Sequence, residues 1–239
     1  MKVLGLDSSG LVASVAVVED DNLLAEYTVN YKKTHSQTLL PMLDQIVTMI
    51  ELDLNTIDAI AVAGGPGSFT GLRIGSATAK GLGFALGKPL IQIPTVDGLA
   101  YNLWGSHNLI CPLMDARRNQ TYTGLYTFVD GVMQVVEPQC AVGIDEMIEK
   151  VNQKNHAVVF LGDGVPVFRS FIEENCRVPF SFAPAHLNKQ RAAAVASLGI
   201  LYLQEGKIQT AAQHRPDYLR LSQAERERLA QEESMSGPK

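Results

Sequence analysis

The sequence predicts an α/β fold of two mixed β-sheets flanked by helices. The first hundred residues run through three short apolar strands, a helix, a strand, a glycine-rich turn and another helix, and the order restarts near Leu109. Of the 239 residues 46% are hydrophobic, which is enough for a large core. We therefore predict a first subdomain over residues 1–107, a smaller second one over 108–220, and a polar tail over 221–239.

The first strands are predicted over residues 2–7, 11–18 and 22–29, which are rich in Val, Leu and Ala and form an antiparallel meander. Asp7 lies at the first hairpin beside two serines. Its carboxylate could hold a magnesium-bound phosphate, or it could accept hydrogen bonds from its own turn.

Residues 36–50 have apolar side chains at helical spacing, with Ser36 as a candidate cap. Together the apolar positions form a face that is wider than the single apolar stripe that a helix needs to cover a sheet. This predicts either that another subunit covers part of the helix or that the chain itself buries it on two sides. The positions concerned include Leu39, Leu40, Leu43, Ile46 and Val47.

A buried strand over residues 57–62 leads into a glycine-rich turn and a helix that begins near Gly71, with Ser68 or Thr70 as its cap. A sharp turn with free N–H groups at a helix N-terminus favours anions. It is neither a Walker loop nor a G-x-G-x-x-G motif, and a tight turn that binds nothing is the alternative. The turn consists of Gly64, Gly65, Pro66, Gly67 and Ser68.

The helix over residues 71–86 carries Gly75, Ala79 and Gly83 four residues apart, and this ridge of small residues predicts close approach by another helix. A strand over 89–93 and a helix over 95–104 follow. The second half is predicted to contain strands over 109–114, 121–128, 132–136 and 157–161, and helices over 144–151, through Phe171, and over 191–203.

Composition excludes several classes of protein. The formal charge of −5 provides no global field for nucleic acid, and the three cysteines lack a C-x-x-C pair, which argues against disulfide or zinc frameworks. The carboxylate of Asp7 interrupts the first apolar residues too early for the apolar segment of a signal peptide. No apolar run reaches the length of a membrane span. We expect a soluble, cytoplasmic protein without membrane contact.

Candidate reactive groups are few. None of the five histidines, which are His35, His107, His156, His186 and His214, pairs with another at metal spacing, and each is expected at the surface or at a cap. No base adjoins Ser68 or Thr70 in sequence. Two small basic patches could touch RNA or simply be solvated, namely Arg117 and Arg118 with Tyr122 and Tyr126, and Lys32 with Lys33.

Five stretches carry a resemblance to a known family. They are residues 4–9, the His-Ser-Gln and Leu-Pro of 35–41, the glycine stretch 64–73, Met-Asp-Ala-Arg-Arg at 114–118, and Pro-Asp-Tyr-Leu-Arg at 216–220. The chain resembles the actin/Hsp70/sugar-kinase (ASKHA) superfold and, more closely, the TsaB (YeaZ) family among the proteins once called glycoproteases. The resemblance implies a role in forming threonylcarbamoyladenosine beside the anticodon of tRNAs that read codons beginning with A.

It also implies partners. Family members act with a related catalytic subunit, TsaD, and a small ATPase, TsaE, so ATP or ADP and metal are expected on those subunits and none is expected to bind tightly to this chain. tRNA would be met only through the complex. The catalytic relatives carry a His-x-x-x-His pair where this sequence has Thr95 and Leu99, and Gly162-Asp163-Gly164 only loosely resembles their nucleotide loop.

We therefore expect a non-catalytic subunit with no catalytic and no metal-binding residues. The expected surface for the TsaD-like partner, and for a homodimer of the isolated chain, comprises Leu39, Leu40, Leu43, Ile46, Val47, Gly75 and Ala79. The alternatives are an autonomous ASKHA-type phosphotransferase that uses Asp7 and the glycine turn, or a glycoprotease-like metallopeptidase.

Overall fold

The computed structural model describes residues 1–31 and 38–219. Its first half contains strands and helices in the predicted order. They are β1 (Lys2–Asp7), β2 (Ala13–Glu19), β3 (Asn22–Val29), α1 (Leu39–Met49), a short 3-10 helix (Leu54–Thr56), β4 (Ala59–Gly65), α2 (Phe69–Leu86), β5 (Leu90–Pro94) and α3 (Thr95–Tyr101).

The second half repeats that order of strands and α-helices, without the 3-10 helix, and ends with a helix as the first half ends with α3. Its elements are β6 (Leu109–Asp115), β7 (Gln120–Val129), β8 (Val132–Gly143), α4 (Ile144–Lys154), β9 (Val158–Leu161), α5 (Val165–Asn175), β10 (Phe180–Phe182) and α6 (Ala192–Gln204).

The two sheets have the same topology. The first runs β3-β2-β1-β4-β5, and the second, read from its other edge, runs β8-β7-β6-β9-β10. In each sheet the first two pairings are antiparallel and the last two are parallel. The predicted pair of mixed sheets flanked by helices is confirmed.

Alternate side chains of β1 belong to different cores. Leu4 and Leu6 pack with α1 and α2 on one face of the first sheet, whereas Val3 packs with α6 on the other. Gly5 and Gly199 allow α6 this close approach, since a Cβ at Gly199 would lie 2.7 Å from the Cβ of Ala61. The first sheet is therefore covered by helices on both faces.

Helix α3 joins the two halves. Val96, Leu99 and Ala100 pack against Ile110 and Tyr126 of the second sheet in one apolar cluster. The outer face of the second sheet is covered by α4 and α5. A layer containing α3 thus lies between the sheets, so the halves share buried surface.

The two halves are not continuous in sequence. Helix α6 lies on the first sheet, and the backbone of Gln209 pairs with Leu90 at that sheet's edge through two hydrogen bonds of 2.8 Å. Residues 192–218 therefore belong with 1–107, although the sequence assigned them to the second subdomain. The predicted tail over 221–239 lies outside the described residues.

Several predicted boundaries differ from the structure. Helix α1 begins at Leu39, and the proposed cap Ser36 lies outside the described residues. Helix α3 ends at Tyr101, earlier than expected, while β8 extends seven residues past the predicted end at Val136. The three-residue β10 was not predicted. Across the described residues, no helix is both long and apolar enough to cross a bilayer.

Candidate functional site

The glycine-rich turn connects β4 to α2. Gly65 has φ +121°, a conformation that L residues rarely adopt, and the Gly65–Pro66 peptide is cis. The Ser68 hydroxyl accepts a hydrogen bond from Gly71 N at 3.3 Å, so the predicted cap of α2 is confirmed. Ser68 N donates to the carbonyl oxygen of Ser9 at 2.6 Å. The turn is thereby tied to the β1–β2 hairpin.

The glycines of this turn and of α2 allow close packing against the chain's own backbone. A Cβ at Gly67 would overlap the carbonyl oxygen of Ser9, and one at Gly71 would overlap that of Ser8. A Cβ at Gly75 would lie 2.6 Å from the Ser8 hydroxyl. The role of the turn as an anion site stays a prediction, whereas its role in joining α2 to the hairpin is visible.

Asp7 lies at this junction and is buried. Its Oδ1 accepts hydrogen bonds from Ser9 N at 2.9 Å and from the Ser9 hydroxyl at 2.7 Å. Of the two roles that the sequence left open, the structure contains the turn-stabilising one.

A segment near the C-terminus, residues 207–218, crosses the glycine turn. Asp217 N donates to the Gly64 carbonyl at 2.6 Å, and its own carbonyl lies against the α-carbon of Gly65. The Tyr218 ring contacts the Phe69 ring at 4.9 Å between centroids, and Arg73 stacks on Phe69 at 3.9 Å. Sequence reasoning placed no part of this segment beside the turn, although the resemblance had singled out residues 216–220.

The positions at which the catalytic relatives are expected to carry histidines have structural roles here. The Thr95 hydroxyl accepts a hydrogen bond from Gly65 N at 3.1 Å, and Leu99 lies in the apolar cluster between the halves. The described residues contain no group of three or more His, Cys, Asp or Glu side chains that could hold a metal ion. The residues present do not fit a two-imidazole metal centre.

Asp97, on the same helix, forms a buried hydrogen bond across the two halves. The Tyr126 hydroxyl donates to Asp97 Oδ1 at 2.6 Å. Burial raises the pKa of the Asp97 carboxyl, against the opposing effect of this bond, and burial beside Asp97 raises the pKa of Tyr126. Tyr126 is therefore unavailable to RNA, which corrects its predicted place in a surface patch.

Of the other parts of that patch, Arg117 and Arg118 are exposed and Tyr122 is half-buried. Arg117, Arg118 and Asn119 all have positive φ values, near +60°, in a turn where Arg117 N donates to Asp115 Oδ1 at 2.8 Å. Behind them, Asp163 Oδ1 accepts from Asp115 N at 3.2 Å, and burial raises the Asp163 pKa. The second predicted patch, Lys32 with Lys33, lies outside the described residues.

The face predicted to meet a partner is mostly turned inward. Leu39, Leu43 and Ile46 are at most 5% exposed and pack on β1 and β2, and Gly75 and Ala79 lie against the first sheet as well. The ridge of small residues lets α2 approach its own sheet. These five residues are buried within the chain itself, whereas Leu40 is 53% exposed and Val47 is half-buried, so only the last two of the predicted surface residues are accessible to a partner in this structure.

Other exposed apolar side chains on the same two helices were missed. Met49 on α1 is 83% exposed and Phe84 on α2 is 86% exposed. Both lie within predicted helices, but a wide apolar stripe does not distinguish inner from outer positions, so the sequence did not single them out. Exposed apolar groups on adjacent helices are typical of a surface that another protein covers.

His214 differs from the expected surface position. It is 1% exposed, its Nδ1 has no hydrogen-bond partner, and burial together with the charge of Lys80 lowers its pKa to about 4. The other described histidines, which are His107, His156 and His186, are exposed. The 207–218 segment therefore buries a neutral imidazole.

We expect the stability of the fold to fall in mild acid because of His214. The pKa of His214 in the folded chain, about 4, lies below the usual value of 6.5. Between these two pH values the unfolded chain therefore binds a proton at His214 and the folded chain does not. The contribution is complete above pH 6.5 and declines as pH falls toward 4, by up to about 1.4 kcal/mol per pH unit. Urea unfolding of the wild type and of His214→Gln between pH 7 and 4.5 should show a shallower pH slope for the variant.

The exposed His156→Gln is the matched control and should keep the wild-type slope. Asp97 and Asp163, whose raised pKa values act in the opposite direction, are unchanged in both variants. Equal slopes for His214→Gln and the wild type would contradict a buried neutral imidazole.

Comparison with known proteins places these features in a family. The family model for TsaD, described as tRNA N6-adenosine threonylcarbamoyltransferase, matches residues 22–228. The chain is 32% identical to the tRNA threonylcarbamoyladenosine biosynthesis protein TsaB of Bacillus subtilis over 94% of this chain and 96% of that protein. It is 31% identical to the TsaB protein of Haemophilus influenzae over 92% and 94% of the two chains.

Solved structures agree with this assignment. YeaZ from Pseudomonas aeruginosa superposes with a TM-score of 0.76 at 25% identity, covering 91% of this chain and 99% of that one. A ROK hexokinase from Thermus thermophilus, 14% identical, has a TM-score of 0.50 over 86% of this chain and all of its own, which supports the ASKHA fold alone. The chain therefore belongs to the TsaB (YeaZ) family of tRNA threonylcarbamoyladenosine biosynthesis proteins.

Proposed function

We propose that the chain is a non-catalytic subunit that binds and activates a TsaD-like catalytic subunit, together with a TsaE-like ATPase. The complex would form the threonylcarbamoyl group on the adenosine beside the anticodon of tRNAs that read codons beginning with A. The observation that carries the proposal is the use of Thr95 as a hydrogen-bond acceptor for Gly65 and of Leu99 as a core residue. Neither can replace an imidazole as a metal ligand.

ATP or ADP and the metal would then bind to the partner subunits, and this chain would meet tRNA only through the complex. The complex would act in the cytoplasm. Three widely spaced cysteines without a C-x-x-C pair are compatible with a reducing compartment. Since Ser8, Ser9 and Asp217 pack against the glycine turn, the isolated chain has little room there for a nucleotide phosphate.

The docking surface that we propose is the outer face of α1 and α2. The two helices pack side by side on the first sheet, and their outward positions carry Leu40, Val47, Met49 and Phe84. Met49 and Phe84 are the most exposed apolar side chains on it, so they are the expected anchors. Two copies of the free chain could join through the same face by two-fold symmetry.

The test is binding of the purified catalytic subunit to a Met49→Asp, Phe84→Asp double variant. We expect a loss of affinity of roughly 100-fold or more, because the charges would be buried at the contact. Circular dichroism and the unfolding midpoint should not change, since both side chains are solvent-exposed in the free chain. Calorimetry would measure the affinity, and light scattering would show whether a homodimer of the free chain dissociates as well.

Val167→Asp on α5 is the matched control, because Val167 is 58% exposed but lies in the second half. It should bind like the wild type. Full affinity in the double variant would refute the proposed surface. Turnover of ATP, or peptide hydrolysis, by the isolated chain would instead favour the phosphotransferase or metallopeptidase alternative.

A further inference from the structure

One end of the 207–218 segment is attached to the edge of the first sheet. Gln209 N donates to the Leu90 carbonyl and Leu90 N donates to the Gln209 carbonyl, both at 2.8 Å, in an isolated bridge. The residues that follow leave the sheet in a local turn, where the N–H groups of Gln213 and His214 both donate to the Thr210 carbonyl at 3.1 Å. The attachment to β5 is therefore a bridge of one residue pair rather than a strand.

The other end of the segment lies on the glycine turn. Asp217 N donates to the Gly64 carbonyl at 2.6 Å, and the Asp217 carbonyl fills the place that a side chain at Gly65 would take. The Tyr218 ring, which is 38% exposed, lies against the Phe69 ring at the start of α2. Release of this end would therefore open the turn and one side of the Phe69 ring to solvent.

The segment buries little apolar surface. Among residues 207–218, all of which the structure describes, His214 alone is buried, and Gln209, Ala211 and Pro216 are half-buried. A segment with few buried apolar groups and exposed hydrogen bonds opens at a lower free-energy cost than the core of a fold. What this segment places in the interior is mainly one polar ring.

That ring weakens the attachment further. Within the described chain, His214 Nδ1 has no hydrogen-bond partner, and the same is true of Gln209 Oε1. A buried polar atom without a partner has lost its hydrogen bonds to water and gained none in the protein, so both atoms oppose docking of the segment. Burial and the charge of Lys80 keep the imidazole neutral, so it has no charge with which to form an ion pair. Opening of the segment would return both atoms to water.

We propose that residues 207–218 act as a strap that opens while both sheets stay folded. The structure contains the closed form. In the open form the glycine turn, the Phe69 ring and the edge of β5 at Leu90 are uncovered, and the unpaired atoms of Gln209 and His214 are hydrated. The inference is independent of the docking surface on α1 and α2, because opening is a property of the free chain.

The test is native-state hydrogen exchange of the full chain, followed by NMR near neutral pH and at low urea concentrations. The backbone amides of Leu90, Gln209 and Asp217 report on the strap, because each donates to a partner across the junction. Leu90 is the most informative, since the residue is fully buried and its N–H is held by the Gln209 carbonyl. We expect the three amides to share one opening constant that urea changes little and that exceeds that of the β1 amides at least ~100-fold.

Two variants should change this opening constant in opposite directions. His214→Leu replaces the unpaired ring with an apolar side chain of similar size, so it should slow the exchange of all three amides at least ~5-fold. Tyr218→Ala removes the ring contact with Phe69 and should speed their exchange roughly 5-fold. His186→Leu is the matched control for the first variant, because His186 is exposed and lies outside the strap, and it should leave the three rates unchanged. The β1 amides show whether each variant is folded.

Three outcomes would overturn the proposal. Exchange of the three amides as slow as that of the β1 amides would mean that the strap opens only when the whole chain unfolds. Three unrelated opening constants would indicate separate fraying instead of one strap. Faster exchange in His214→Leu, or rates that neither variant changes, would contradict the roles given to the imidazole and to the Tyr218 ring.

Discussion

Leu43→Asp is expected to unfold the chain at neutral pH, or nearly so. Leu43 is 4% exposed and packs in the core between α1 and the first sheet. The substitution removes a buried leucine and places a carboxylate where nothing can pair with it. Each effect costs several kcal/mol, and together they should lower the free energy of unfolding by about 4 kcal/mol or more. Urea unfolding followed by circular dichroism would measure the change.

Leu40→Asp is the matched control on the same helix. Leu40 is 53% exposed, so the free energy of unfolding should change by no more than about 0.5 kcal/mol. Equal destabilisation by the two variants would mean that α1 has a different rotation about its axis. The two variants also distinguish an effect on folding from an effect on partner binding. Leu40→Asp is expected to stay folded, so any loss of partner binding in that variant comes from the outer face of α1.

Gly71→Ala should destabilise the fold by about 3 kcal/mol or more, whereas Gly81→Ala should stabilise it by about 1 kcal/mol. Both glycines lie in α2. A Cβ at Gly71 would overlap the carbonyl oxygen of Ser8, which is backbone and cannot rotate away, but a Cβ at Gly81 would meet nothing within 4 Å. The alanine there would only improve helix propensity.

Thermal and urea unfolding of the two variants would test this directly. A tolerated alanine at Gly71 would show that the hairpin and α2 are not in close contact. The result bears on the interpretation of the glycine-rich motif, because it distinguishes glycine required for packing from glycine required for a ligand.

Elements with a clear period were predicted well from the sequence. Strands β1 and β3 have the predicted bounds, and the duplicated order of elements gives two sheets of the same topology. The second part of β8 was missed because it contains Glu137-Pro138-Gln139, which is typical of a loop. Proline is tolerated there because β8 is an edge strand, and this only becomes known with the strand order.

The candidate site was predicted less completely. Ser68 was identified as a cap because capping depends on residues three positions apart. The inward direction of Gly75 and Ala79 could not be predicted, since their spacing defines a face of α2 but not what covers it. The hydrogen bond from Tyr126 to Asp97 joins residues 29 positions apart and leaves no local pattern.

The position of α6 on the first sheet has a consequence for synthesis on the ribosome. β1 is made first, but the face of its sheet that carries Val3 and Ala61 is covered by a helix made almost 200 residues later. Until Ala192–Gln204 leaves the exit tunnel, much of that apolar face is uncovered, because α3 packs mainly beside β4 and β5 of this sheet. A nascent chain stalled before this helix would therefore be a substrate for chaperones, even though all ten strands had already been translated.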